Sequence, residues 1–156
     1  MDFAIRQARV EDATTIAEFN AAMAFETEGK ILDGATLSRG VEAVLADAAK
    51  GFYTVAEVAG EVVGQCLVTR EWSDWRNGWF WWFQSVYVAE GFRRMGIFRA
   101  IFADVVNRAK CEGDVIGVRL YVEDENVRAQ QTYAALGLKD ENYRVLGASP
   151  LTGLRE

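Results

Sequence analysis

The chain has 156 residues, 51% of them apolar, with a single proline, which suits one folded domain able to bury a core. A net charge of −6 offers no basic face for neutralising phosphates, so nucleic acid is not an expected partner and a cationic small molecule is the better match. The absence of histidine excludes Ser-His-Asp and Cys-His triads together with His-based zinc sites, and no metal is expected.

The opening MDFAIRQARVED has no basic segment leading into an apolar one, so no secretory signal is expected, and Phe3 to Arg6 reads as a first strand. Val10-Glu11-Asp12 opens a helix that puts Ile16, Phe19 and Met23 on one face. Thr27 to Gly34 reads as a loop. Leu37, Val41, Val44, Leu45 and Ala48 then give a second helix, ended at Gly51. Phe52 to Val58 and Val62 to Thr69 are strand-like, joined by a hairpin at Ala59-Gly60-Glu61. Glu71 to Gly78 is expected to be a loop or extended turn. Trp79 to Val88, WFWWFQSVYV, reads as a long strand covered on both sides. Its Trp79 to Phe83 is the longest apolar run, far too short to span a membrane.

A helix running to about Cys111 follows, with Phe98, Phe102, Val105 and Ala109 on one ridge and Ile97 and Ile101 beside it. Val115 to Val122 predicts another strand, Asn126 to Leu136 another helix, and Tyr143 to Leu146 a weak last strand. Cys66 and Cys111 lack CxxC spacing and are expected to be reduced, buried thiols of a cytoplasmic protein. The order of elements predicts a mixed α/β domain over 1–156, without repeats or linkers.

The start of the long helix raises a chemical question. In FRRMGIFRAIF, Phe92 to Phe102, two arginines and a glycine stand directly before the apolar pattern. A loop glycine with solvated arginines would give this sequence. So would an anion resting on the unpaired N–H groups of the helix's first turn, where the dipole adds partial positive charge.

The run SVYVAEGFRRMGIFRAIF resembles the signature of the GNAT superfamily of N-acetyltransferases, a strand, a turn and R-x-x-G-x-G/A opening a helix. VRLYVEDENVRAQQTYAALGL is similar to that family's next block: a strand, an Asn at a helix start, and a Tyr seven residues on before Leu-Gly. The resemblance covers nearly the whole chain. It implies a central mixed, mostly antiparallel sheet with helices on both faces, parted between the Trp79–Val88 and Val115–Val122 strands to admit acetyl-CoA. It also implies direct acetyl transfer to the amine of a small molecule.

By the same resemblance, the backbone of Arg93, Arg94, Met95, Gly96 and Ile97 holds the coenzyme A pyrophosphate, with Phe98 and Arg99 completing the first turn. Gly96 clears the approach, and Arg93 or Arg94 supplies charge-assisted bonds. Phe98 stands where the family usually has Gly or Ala, and its place on the Phe102 ridge predicts a side chain turned toward the core. Val86, Tyr87 and Val88 are expected along the pantetheine arm, with a backbone N–H there polarising the thioester carbonyl. Asn126, Ala129 and Tyr133 complete the coenzyme contacts. Tyr133 matches the family tyrosine that protonates the departing thiolate, and a phenol of pKa about 10 can serve a thiol of pKa about 8.5. Packing under the helix is the plainer role for it.

Without histidine, the proton of an acceptor ammonium must go to a carboxylate or water. Gln84 occupies the strand position where many relatives carry a water-activating Glu; a glutamine takes no proton but orients a water. Glu26, Glu28, Glu71 and Glu123 are the other candidates. Trp75, Trp79 and Trp82, with Glu26, are candidates to shape an acceptor pocket, where aromatic faces suit a cationic amine, and burial in core or a subunit interface is the alternative that stays open for Trp75 and Trp79. Trp81 and Phe83 read instead as core or interface, and the aromatic-rich Trp72 to Phe83 segment predicts a homodimer. The rival is a non-catalytic acyl-CoA-binding or regulatory module, which the glutamine at the base position favours. A Rossmann-like nucleotide binder needs G-x-G-x-x-G after a first strand, and that pattern is absent.

Overall fold

Asp12 organises the entry into the first helix. It accepts from the Arg6 guanidinium at both oxygens, 2.7 and 2.9 Å, and from the Arg9 backbone N–H at 2.6 Å. Arg6 also donates to Glu57 at 2.7 Å. The Arg6 contact, followed by the Arg9 backbone bond, holds the Asp12 carboxyl below the usual carboxylate range against the opposing effect of burial. The stability this contributes is therefore complete above the unfolded value of about pH 4 and is lost as pH falls through the lowered folded value. Asp12→Asn is expected to cost roughly 1.5–3 kcal/mol at neutral pH, with the gap to wild type closing below about pH 4, read from urea unfolding across pH.

The computed structural model describes residues 2–153. The chain forms two compact units, 1–121 and 122–156. In the first, β1 (Ala4–Gln7), a 3-10 turn (Val10–Asp12), α1 (Ala13–Glu28) and α2 (Gly34–Ala46) precede β2 (Phe52–Val58), β3 (Glu61–Ser73) and β4 (Gly78–Val88). A second 3-10 turn (Glu90–Phe92), α3 (Ile97–Glu112) and β5 (Val115–Leu120) complete it. The five strands lie in the order β1-β2-β3-β4-β5, antiparallel except for the parallel β4–β5 pair.

Alternation along β2 assigns the two faces. Tyr53 and Val55 pack with Ile16 and Val41, so α1 and α2 cover one face. On the other, Thr54 accepts from Arg108 of α3 at 3.3 Å, and the Phe83 ring stacks on Phe102 at 5.0 Å. Trp81 and Phe83 are each 2% exposed, as core residues should be. Helices on both faces of a mixed, mostly antiparallel sheet are the expected fold class.

Several boundaries move. Glu71 to Ser73 is strand rather than loop, because Trp72 pairs with Trp79 and their rings meet edge-on at 5.0 Å, which zips the hairpin to its tip. The Ala59-Gly60 turn has φ of 50° and 86°, the two positive values of a tight hairpin. The second helix starts three residues earlier than its apolar residues do, because Asp33 caps it by accepting from Thr36 N–H at 2.8 Å. Cys111 is exposed and only Cys66 is buried; burial pushes the Cys66 thiol far up and leaves it inert.

The second unit holds α4 (Val127–Ala135) and a 3-10 turn (Leu151–Gly153). Tyr143 to Leu146 forms no strand: Tyr143, Val145 and Leu146 are all exposed, and too few apolar residues alternate there to bury a face. Among the described residues no helix is long and apolar enough to cross a membrane.

Candidate active site

The pairing of β4 with β5 runs from Trp79↔Val115 to Phe83↔Leu120 and stops, whereas its pairing with β3 continues to Gly64↔Val88. From Gln84 onward β4 thus has a sheet partner on one side only. Within this stretch the register slips: Leu67 faces Gln84 and Gln65 faces Tyr87, which leaves Ser85 and Val86 opposite the single residue Cys66. This is a β-bulge, with Ser85 at φ 48°. Beyond it, Ala89 N–H donates to Val63 O at 2.9 Å. The alternation of an antiparallel ladder then turns the N–H groups of Val86 and Val88 away from β3, toward the edge that β5 has left.

The loop after β4 carries the two arginines. Arg94 has φ 67° and Gly96, the N-cap of α3, has φ 81°, a conformation that favours glycine. A Cβ on Gly96 would meet nothing within 4 Å, so the space in front of this backbone is open. No side chain caps α3, and the first intrahelical bond there runs from Ala100 N–H to Gly96 O at 3.0 Å. The N–H groups of Ile97 and Arg99 lie ahead of that bond, and Arg94, Met95 and Arg99 are exposed. Open space, uncapped donors and an exposed guanidinium fit a phosphate group. Phe98 is turned onto the Phe102 ridge, ring centroids 6.1 Å apart, as its place in the pattern predicts.

Arg93 behaves differently from Arg94. Its Nε donates to Val88 O at 2.8 Å and its Nη2 to Glu26 at 2.7 Å. Tyr87 Oη donates to the other Glu26 oxygen at 2.8 Å, and the Tyr87 ring packs 5.0 Å from Phe19. The Tyr87 bond, then Arg93, holds the Glu26 carboxyl below the usual range, which makes it a weak base. Glu26 was expected beside the acceptor; it also ties the end of α1 to the anion loop.

The remaining base candidates of the first unit are also engaged. Glu71 accepts from Arg119 at 2.6 Å and from Trp82 Nε1 at 3.4 Å, and Glu28 pairs with Lys30. Gln84 Nε2 donates to Thr69 Oγ1 at 2.5 Å. Trp82, two residues before Gln84 on the same face of β4, stacks on Tyr121 at 4.5 Å. Trp79 lies against Trp72, and Trp75 is 86% exposed in the hairpin turn. The structure therefore groups Glu26, Tyr87 and Arg93, and groups Trp82 with Glu71, Arg119 and Tyr121, while Trp75 stands apart from both.

In the second unit, Asn126 caps α4 by accepting from Ala129 N–H at 3.1 Å. Glu123 precedes it and accepts at its carbonyl from Gln130 at 3.0 Å. Tyr133 is half-buried in the last turn of α4, and its carbonyl accepts from Leu138 N–H at 3.1 Å.

Asn20 and Gln65, both buried and hydrogen-bonded to each other at 2.8 Å, were not among the expected site residues. The readable signal was a glutamine in the middle of the apolar run VVGQCLV.

The model of the acetyltransferase (GNAT) family matches residues 9–138. A possible acetyltransferase from Clostridium difficile 630 is 46% identical, with a TM-score of 0.88 over 94% of this chain and 97% of that one. A predicted acetyltransferase from Clostridium acetobutylicum, solved with acetyl-CoA, is 17% identical, with a TM-score of 0.76 over 94% and 96% of the two chains. A ribosomal-protein-alanine N-acetyltransferase from Brucella melitensis biovar Abortus 2308 is also 17% identical, with a TM-score of 0.77 over 94% and 99%. At that identity the last two share the fold. No curated protein matches the chain. With the family model covering most of its length and a relative 46% identical from end to end, the chain belongs to the GNAT family of acetyltransferases, whose chemistry is acyl transfer.

Proposed function

We propose that the protein is an acetyl-CoA-dependent N-acetyltransferase of the cytoplasm that moves an acetyl group directly to the amine of a small molecule. What carries the proposal is the edge of β4 past Phe83, where the N–H groups of Val86 and Val88 turn off the sheet next to an open, uncapped helix start. Acetyl-CoA, when bound, supplies the acetyl group as a thioester. Gly96, the first-turn N–H groups of Ile97 and Arg99, and Arg94 would hold its pyrophosphate. Val86 to Val88 would lie along the pantetheine arm, one of their N–H groups polarising the thioester carbonyl. Asn126 and Ala129 are proposed coenzyme contacts through the family resemblance.

The acceptor ammonium must lose a proton before its nitrogen attacks. Glu26 is a weakened base and Glu71 is already paired, so Gln84 is proposed to orient the water that takes this proton, held in place by its bond to Thr69. Tyr133 is proposed to protonate the thiolate that leaves. Trp82, with Trp75 and Trp79, is proposed on the acceptor side.

A second reading, a non-catalytic acyl-CoA-binding or regulatory module, has one observation in its favour: Gln84, at the base position, carries no charge. Thiol release from acetyl-CoA across a panel of small amines separates the two. Amine-dependent release supports the enzyme, and binding without release supports the module.

The hairpin tip also presents Trp72, 46% exposed, and Trp75, 86% exposed, more aromatic surface than a small domain usually leaves in water. Light scattering is expected to give twice the chain mass, falling toward one chain in Trp75→Ala; a concentration-independent single-chain mass would refute the dimer.

A further inference from the structure

We infer that Gln65 is a positioning residue for acyl transfer, because its buried side chain clamps the β4 bulge that aims the Val86 and Val88 N–H groups. This rests on the acyl-transfer proposal above. Gln65 is 0% exposed, yet it lies in a strand whose neighbours Val63, Cys66 and Val68 are ordinary core. Its Nε2 has two hydrogens and places both. One goes to Asn20 Oδ1 at 2.8 Å, the other to the carbonyl of Ser85 at 3.3 Å. Asn20 in turn donates Nδ2 to Tyr53 Oη at 3.3 Å. The chain of bonds ties β2, α1 and β3 to one peptide of β4.

That peptide belongs to the residue the bulge strains. Ser85 has φ 48°, a conformation that a serine adopts only when its surroundings impose it. The Ser85 carbonyl demands a donor, which fixes the orientation of the Gln65 amide, and Asn20 presents the oxygen that accepts the other hydrogen. Gln65 Oε1 meets no donor among the described residues. The amide gives one hydrogen to the strained peptide and one to Asn20, and its unmatched oxygen offsets part of what these bonds contribute to folding. An apolar side chain of similar size would fill the space as well. What such a side chain would lack is the grip on Ser85, and with it the fixed direction of the next N–H groups.

The test compares wild type with Gln65→Leu and Gln65→Met, both of similar volume and without donors. Both are expected to fold, with thermal midpoints a few degrees below wild type because Asn20 Oδ1 and the Ser85 carbonyl lose their donor. Hydrogen exchange on the free protein is expected to accelerate roughly tenfold or more at Ser85 to Val88, and not at Ile97 to Arg99. Acetyl-CoA affinity should change less than about threefold, while kcat falls roughly 10–100-fold, because removing one preorganised donor outright costs about 10²–10³. Tyr53→Phe, at the far end of the chain of bonds, should leave both exchange and kcat near wild type. Unchanged exchange at Ser85 to Val88 in either variant overturns the inference, as does changed exchange with unchanged kcat. Failure of both variants to fold also overturns it, since Gln65 would then be core. Wild-type thiol release, measured first, tests the acyl-transfer proposal separately.

Discussion

Gly96→Asp is expected to weaken acetyl-CoA binding roughly 10²-fold while leaving the protein folded. Aspartate tolerates the left-handed conformation better than most residues, so φ 81° is not a barrier to folding. A Cβ there enters open space, so no neighbour has to move. The added carboxylate would stand where the proposed pyrophosphate approaches α3. Two like charges about 4 Å apart repel by about 4 kcal/mol at an effective dielectric constant near 20, and exposure reduces this toward the roughly 2.7 kcal/mol that hundredfold weakening requires. Gly96→Asn carries the same backbone strain without the charge and should lose far less. Arg94→Ala should weaken binding moderately and flatten its salt dependence, because an exposed cation acts through screened charge. Arg93→Ala should act differently, through Glu26 and Val88 O, with less change in salt dependence. Titration calorimetry checks all four. A folded Gly96→Asp protein with unchanged affinity would sink the pyrophosphate assignment.

The order of strands and helices was legible because periodicity, capping residues and glycine punctuation are local. WFWWFQSVYV read as a strand covered on both faces, and it buries Phe80 on one face and Trp81 and Phe83 on the other. The ridge of α3 was equally clear, with Ile101 and Val105 fully buried. What the sequence hid was pairing. Nothing in EWS shows that Trp72 will meet Trp79, so a strand end read as a loop. The bulge at Ser85 depends on a slip against β3, and the Glu26 contacts with Tyr87 and Arg93 span more than sixty residues. Arg93 and Arg94 are adjacent, chemically identical and both exposed, yet among the described residues only Arg93 is paired with Glu26. Long-range partners of polar groups are set by the folded backbone, which local spacing does not encode.

Tyr133→Phe is expected to lower turnover by roughly 10²–10⁴-fold with little change in acetyl-CoA affinity, if the phenol donates its proton in the rate-limiting step. The substitution keeps the ring, so packing around this half-buried residue persists. The α4 backbone is anchored by other means: Asn126 caps its start, and the bonds from Leu136 and Leu138 to the Tyr133 carbonyl do not involve the hydroxyl. Stability should therefore stay within about 1 kcal/mol of wild type. A thiolate leaving without a proton would be a poorer leaving group, and the defect should shrink when the acyl donor carries a thiol of lower pKa. A tyrosine that only packs α4 would show no such dependence. Single-turnover kinetics with donors of graded thiol pKa is the decisive measurement, because it isolates the chemical step from product release. Wild-type rates in Tyr133→Phe, flat across the donor series, would make the residue packing and place the acid elsewhere.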